Sequence, residues 1–303
     1  TGVCISGAKT TKLPQPEPCH RRFGAPCLLH YYPRHCGGWN PFTMLRLFRF
    51  ESRRLALLRR YQALLVASQH MAEEYSRHGL GDRVAVLQLP VPAPVGERQR
   101  AAWQDKASHL LFLGRMDVLK GGQLLLDALP QVRSALQRNL VVTLAGEGPA
   151  LADWRQKAAR IMNQCPGIAI HFPGWVDEAQ KQELFRGTHL LVMPSLWPEP
   201  FGLVGLEAGH HGIPAAAFDV GGISSWLQDG VNGHLAPGQP PSAAELAEAI
   251  TKCLRDSRTH DQLASGAVAI ARSFTLDRHL RDLHQVFERV RKGESDYRGE
   301  ADP

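Results

Sequence analysis

Two glutamates sit eight positions apart in the stretch LWPEPFGLVGLEAGH, Glu199 and Glu207, and the first is bracketed by Pro198 and Pro200. The prolines stiffen the loop, so Glu199 is held in a defined place. The backbone then enters a helix whose first amides, those of Phe201, Gly202 and Leu203, point out of its mouth. There the macrodipole favours an anion by roughly 0.3–1 kcal/mol. Glu207 lies about one turn further in and reaches the same cleft. A carboxylate repels a neighbouring phosphate, so at least one glutamate is expected to accept hydrogen bonds from neutral hydroxyls. Amides for phosphate and acceptors for hydroxyls together suit a sugar joined to a nucleotide diphosphate. Glutamates that merely cap a helix are the plainer alternative.

Three further motifs follow apolar runs. FLGRMDVLKGG places Gly114 and Arg115 after one run, with Lys120 and Gly121-Gly122 opening the next helix. Arginine offers a planar fork for phosphate oxygens and lysine a mobile point charge. Beside a helix start they form a diphosphate cradle, or else two solvated surface cations. LAGEGPA sets Gly146 and Gly148 before Pro149, where the backbone can approach a ligand or simply turn into a helix. In FPGWVDEAQ, Gly174 makes the turn and Asp177 is an expected N-cap. Trp175 and Val176 line a base-binding slot or fill core, with core the expectation for Trp175.

These motifs need a frame that brings them together. HLLFLG, LVVTLAG, IAIHFPG, HLLVMPS and IPAAAF are continuously apolar. They alternate with helical segments expected near 122–137, 150–162, 178–186, 203–211 and 222–228. Such alternation predicts a parallel sheet covered on both faces, a doubly wound α/β domain whose ligands bind outside the carboxyl ends of the strands. Every unusual motif falls at such an end. Three helices are expected after Ser242, near 242–255, 258–272 and 276–291, before a charged, frayed tail.

The first 92 residues differ. They carry thirteen Lys/Arg against five Asp/Glu, whereas the rest carry twenty-two against twenty-four. This asymmetry points the first part at something anionic, such as a membrane surface. MLRLFRFESRRLALLRRYQALLV reads as a basic amphipathic helix with Leu45, Phe48, Leu55, Leu58 and Leu65 on one side and Arg46, Arg49, Arg53 and Arg60 around the other. It fits a lipid surface or an ordinary solvated face. No aromatic platform is expected beside the arginines, which argues against nucleic acid. Residues 1–42 read as loop, and ALLVAS and RVAVLQLP as short buried strands around a helix at 71–77. Cys4, Cys19, Cys27 and Cys36 match no compact zinc spacing; packed, reduced thiols are expected, with a metal knot as the alternative. PVPAPVGERQRAAWQ is the expected linker, which sets domains at 1–92 and 93–303. No apolar run spans a membrane and no signal peptide is evident, so a cytoplasmic protein is expected. The first residue is not Met, and something upstream is expected to be missing.

The ordered set of Gly114-Arg115, Lys120-Gly121, LAGEGP, FPGWV, MPS, EPFGLVGLEA and DGVNGHLAPG resembles the retaining glycosyltransferases of family 4. The resemblance implies the α/β, GT-B-type fold of two Rossmann-like domains. Here the first would be only partly present, and the C-terminal helices would pack back. It implies that Arg115 and Lys120 bind the donor diphosphate and that Glu199 contacts the donor sugar. Phe201, Gly202 and Leu203 would add backbone contacts, Glu207 would hold the ribose, and Gly174 to Val176 would flank the base. Gly114 and Gly146 would line the donor site. The chain departs from the family where GGISS, Gly221 to Ser225, replaces the frequent GGIPE. A histidine that the family places near the reacting sugar has no counterpart here; His20, His30 and His35 do not substitute for it.

The resemblance implies transfer from a UDP- or GDP-linked sugar, with retention, to a saccharide or lipid-linked acceptor in surface polysaccharide or glycolipid synthesis. The enzyme would be peripheral at the inner face of the membrane. No cofactor or metal is implied, and no D-x-D-like pair is evident. A nucleotide-sugar-binding remnant without turnover and a phosphorylase on the same architecture are the competing readings.

Overall fold

A computed structural model describes residues 3–5, 9–11, 17–93, 103 and 106–294. Most of the expected linker and the last nine residues of the tail lie outside these. The chain divides into two compact units, Thr1–Pro90 with Leu276–Pro303, and Val91–Thr275. The first boundary thus falls two residues before the expected one, and the last helix is counted with the first unit.

In the first unit, β1 (Thr10–Thr11) pairs antiparallel with β2 (Glu17–Pro18). Two helices follow, α1 (Pro26–His30) and α2 (Pro41–Leu58). The loop reading of residues 1–42 therefore missed α1, five residues with proline at the start and too short to show a period. Asn40 caps α2, its side chain accepting from the amides of Phe42 and Thr43 at 2.9 and 3.3 Å. Met44, Leu47, Phe48, Leu55 and Leu58 pack on a small core of Val3, Ile5, Phe23 and Tyr31. Leu45 is exposed and Leu65 lies beyond the helix, so neither joins this stripe as expected. Arg83 donates to the carbonyls of Arg59 and Tyr61 where the helix stops, and Leu65 falls in β3 (Leu64–Val66).

Strand β3, α3 (Gln69–Ser76) and β4 (Val84–Val86) form a parallel β-α-β unit. Its strands are not buried throughout as expected: Leu65 and Val86 are exposed, whereas Val66, Val84 and Ala85 are buried. The fully buried His78 accepts from the Phe23 amide through Nε2 at 2.9 Å, so its Nδ1–H donates to the Glu74 carbonyl at 2.8 Å. Lys9 pairs with the Glu74 carboxylate at 2.7 Å.

The second unit holds the parallel sheet. Its strands are β5 (Ala107–Leu113), β6 (Asn139–Ala145), β7 (Ile168–Gly174), β8 (Leu190–Met193), β9 (Ala215–Phe218) and β10 (Gly233–Ala236). They lie in the order β10-β9-β8-β5-β6-β7, all parallel. Every residue of β8 and β9 is buried, as continuously apolar runs require when helices cover both faces. The connecting helices are α4 (Gly122–Leu136), α5 (Leu151–Gln164), α6 (Glu178–Arg186), α7 (Leu203–His210), α8 (Ala243–Cys253) and α9 (Ser257–Ser273). The final helix α10 (Leu276–Lys292) belongs to the first unit, where His279 bonds to the Gln88 carbonyl at 2.8 Å.

Two readings change here. Residues 222–228 form only a short 3-10 turn, Ile223–Ser225. Asn232 stops it by accepting from the Gln228 amide at 2.7 Å and donating to the Trp226 carbonyl at 3.0 Å. Strand β10, inside DGVNGHLAPG, was not expected. It is a four-residue edge strand with a polar His234, too short and mixed to show an apolar run.

Candidate functional site

The chain enters the sheet at β5, runs outward through β6 and β7, and returns to the other side of β5 with β8. The switch point therefore lies between the carboxyl ends of β5 and β8, where open α/β sheets bind ligands. The loops leaving these two strands meet there. The amides of Leu196 and Trp197 both donate to the Leu119 carbonyl, at 2.8 and 3.1 Å. Gly121 sits in the left-handed region at φ 72°, and an added Cβ would lie 1.7 Å from the Pro194 carbonyl oxygen. Only glycine permits this approach.

The cation and the carboxylate singled out in the sequence meet across this junction. Lys120 pairs directly with Oε1 of Glu199. Ser195 donates to the same oxygen at 2.8 Å. Glu199 is buried, with 9% of its surface exposed, and its Oε2 makes no hydrogen bond among the described residues. Its backbone is clamped too: the Glu199 carbonyl accepts from the Gly222 amide at 2.6 Å. Ser195 lay in the quoted MPS but carried no role; its place two residues past β8 was the available signal.

Arg115 is exposed, and its guanidinium makes no hydrogen bond or ion pair among the described residues. Gly202 precedes α7 with no side-chain cap; the Gly205 amide turns back to the Gly202 carbonyl at 3.0 Å, which leaves the amides of Leu203 and Val204 without a partner among the described residues. This contrasts with α6, where Asp177 and Gln180 form a complete capping box as the Asp177 N-cap reading required. Phe201 contributes backbone alone. Its ring is buried against Phe274 at 5.7 Å, and its carbonyl accepts from Trp226 at 2.7 Å. Leu203 is partly exposed at the helix mouth.

The glycines at neighbouring strand ends are spoken for by the protein itself. Gly114 donates to Ala145 at 3.0 Å and Gly146 to Gly174 at 2.7 Å, and a Cβ on Gly146 would lie 2.0 Å from the Gly114 carbonyl oxygen. Strand packing alone thus accounts for Gly146. Val176 is half-buried. Trp175 is not core as expected but 69% exposed, because it falls in the turn after β7 rather than on a strand face. Glu207, half-buried on α7, accepts from Lys181 at 2.8 Å. Lys181 had no sequence signal, since its partner lies on a different helix.

In the first unit all the cysteines are free thiols. Burial first, then the neighbouring thiols Cys19, Cys4 and Cys27, push the Cys36 thiol up to about 11, so it is protonated at neutral pH. Among the described residues no group of three or more His, Cys, Asp or Glu is placed to hold a metal ion. No helix there is long and apolar enough to cross a membrane.

Residues 107–256 match the family model Glycosyl transferases group 1. The chain carries a glycosyl transferases group 1 domain. It is 33% identical over 198 residues to the D-inositol 3-phosphate glycosyltransferase of Streptomyces griseus, covering 62% of this chain and 41% of that one. It is 33% identical over 213 residues to the phosphatidyl-myo-inositol mannosyltransferase of Mycobacterium leprae, covering 68% and 54%. The chain thus spans about half the length of these curated relatives. Among solved structures, Anabaena HepE in complex with UDP and glucose superposes with a TM-score of 0.63 at 22% identity, over 84% of this chain and 68% of that one. These glycosyltransferase relatives and neighbours bear out the GT-B-type α/β architecture that the motifs implied. All the motif glycines, Arg115, Lys120, Glu199 and Glu207 lie inside the matched domain.

Proposed function

We propose that this chain carries the donor site of a retaining glycosyltransferase. The reaction moves a sugar from a nucleotide-diphosphate donor, UDP- or GDP-linked, to a saccharide or lipid-linked acceptor in surface polysaccharide or glycolipid synthesis. The observation that carries this is the Lys120–Glu199 pair, held by Ser195 across the switch point, together with the uncapped mouth of α7 and the exposed Arg115. Inositol-directed transferases among the relatives and a UDP-bound structural neighbour support it.

In this reading Arg115, Lys120 and the α7 amides receive the diphosphate. Glu199 accepts from donor-sugar hydroxyls through Oε2, its Oε1 being committed to Lys120 and Ser195. Glu207 accepts from the ribose, and the segment Gly174 to Val176 flanks the base. The bond from the anomeric carbon to the phosphate oxygen breaks, and the acceptor oxygen bonds to the same face. The acceptor proton passes to the departing phosphate oxygen, whose growing charge the cations and amides already face. Such preorganised donors are worth about 2.7–4 kcal/mol each where one has been removed from an oxyanion site.

A thermal-shift screen of the chain against UDP-, GDP- and ADP-sugars tests this, because a ligand of the folded state raises its midpoint. One nucleotide class should raise it, and Arg115→Ala should abolish most of the rise. Shifts identical in wild type and Arg115→Ala would remove Arg115 from the site.

The acceptor side is assigned to an anionic membrane surface, met peripherally from the cytoplasm. On α2 the arginines Arg46, Arg49 and Arg53 alternate with exposed Phe42, Phe50 and Leu57. These aromatics also overturn the stated ground for setting nucleic acid aside. Exposed apolar side chains interleaved with cations suit a lipid interface. The affinity for vesicles containing anionic lipid, read by co-sedimentation, should fall about a hundredfold on replacing the three arginines by alanine, at roughly 1 kcal/mol per charge. Equal binding to single-stranded RNA and vesicles would contradict the lipid assignment.

A further inference from the structure

The connection that leaves β7 continues into α6, whose Lys181 reaches Glu207 on α7. Lys181 Nζ is 2.8 Å from Glu207 Oε2 and 2.8 Å from Glu178 Oε2. Its side chain is 18% exposed, against 31% for Glu207 and 70% for Glu178. A lysine loses close to 2 kcal/mol of rotamer freedom when its stem is fixed this way, and loosely solvated surface pairs do not usually bear that cost. Burial works against the charge, yet the hydrogen bonds to Glu178 and Glu207 outweigh it and hold the Lys181 ammonium above the ordinary lysine range. The group is a fixed cation at neutral pH, set on a helix whose start is itself locked by the Asp177 box.

Glu207 cannot serve as a directed acceptor unless its carboxylate is stopped from rotating. No hydrogen bond other than the one from Lys181 reaches it among the described residues. With Oε2 occupied, Oε1 is the oxygen left to accept from a ligand. A carboxylate near a diphosphate is also repulsive unless a cation sits behind it, and Lys181 supplies that cation from outside the phosphate cradle.

We propose that Lys181 is a positioning residue that fixes Glu207 for the donor ribose and so sets the preference for ribonucleotide over deoxyribonucleotide donors. This rests on the reading of Glu207 as the ribose contact. It adds a role for α6 in selecting the sugar of the nucleotide as well as flanking its base, through one rigid βα connection.

The test is calorimetric. Dissociation constants are measured for UDP, 2′-deoxy-UDP and 3′-deoxy-UDP, or the same three forms of whichever nucleoside diphosphate the screen selects. The variants are Lys181→Met, Lys181→Arg and Glu207→Gln, each checked for an unchanged unfolding profile. Wild type should prefer the ribose form over at least one deoxy form by about tenfold, the range of one hydrogen bond to a charged group. Lys181→Met should weaken the ribose form about tenfold more than that deoxy form, collapsing the preference, whatever loss the two share through the diphosphate. Lys181→Arg should restore most of it. If Glu207→Gln collapses the preference but Lys181→Met retains it, the positioning role is overturned while the ribose contact stands. If Glu207→Gln leaves the preference intact, or no nucleoside diphosphate binds, the ribose reading fails and this inference with it.

Discussion

Glu199→Gln is expected to leave the protein folded and cut sugar transfer by about 10²–10³-fold, the scale of losing one preorganised group at a reacting centre. The amide keeps an oxygen for the Ser195 hydroxyl, which now donates at 2.8 Å, so the loop has no reason to open. What disappears is the charge that holds Lys120. The released ammonium remains beside the diphosphate cradle, so donor affinity should hold or tighten while turnover falls. A lowered kcat with an unchanged KM marks the loss of an interaction made only in the transition state, and a lowered KM beside it marks released ground-state strain. A variant with wild-type kcat would remove Glu199 from the reaction.

Gly221→Ala is expected to unfold the site from behind. Gly221 lies at φ 64°, and its Cβ would fall 2.4 Å from both the amide nitrogen and the carbonyl oxygen of Glu199. The left-handed conformation alone costs a non-glycine residue about 1–2 kcal/mol, and overpacking against backbone that cannot yield adds roughly 1–3 kcal/mol. A total of ~3 kcal/mol or more is anticipated, read by denaturant unfolding. Gly230→Ala is the matched control, since Gly230 sits at φ 73° with open space around it. It should show the conformational part alone, about 1–2 kcal/mol. Equal losses at the two positions would mean that the Gly221 loop does not press on Glu199.

The middle of the sheet was legible because β8 and β9 are buried throughout, which makes each a continuous apolar run regardless of register. Strand β10 escaped for the converse reason, being four residues at an edge with a polar His234. At the site, Glu199, Lys120 and Arg115 stood out by residue type at strand ends. That Lys120 and Glu199 hold each other was not readable, because it depends on β5 and β8 being neighbours although the β6 and β7 segments separate them in sequence. Lys181 was invisible for the same reason one level higher, since α6 and α7 must pack side by side before Lys181 meets Glu207. Trp175 shows the opposite error: a large aromatic after an apolar run looks like core, but the strand ends one residue before it. In the first unit the pattern was weaker because the core is small and strands β3 and β4 are three residues each, with Leu65 and Val86 exposed.

Hydrogen–deuterium exchange of the chain with and without the nucleotide sugar selected by the thermal screen tests the central claim most directly. The account predicts added protection at 114–121, 174–177 and 199–207, around the carboxyl ends of β5, β7 and β8, with Arg115→Ala erasing it. Binding accompanied by protection elsewhere in the second unit, with these three segments unchanged, would contradict the site.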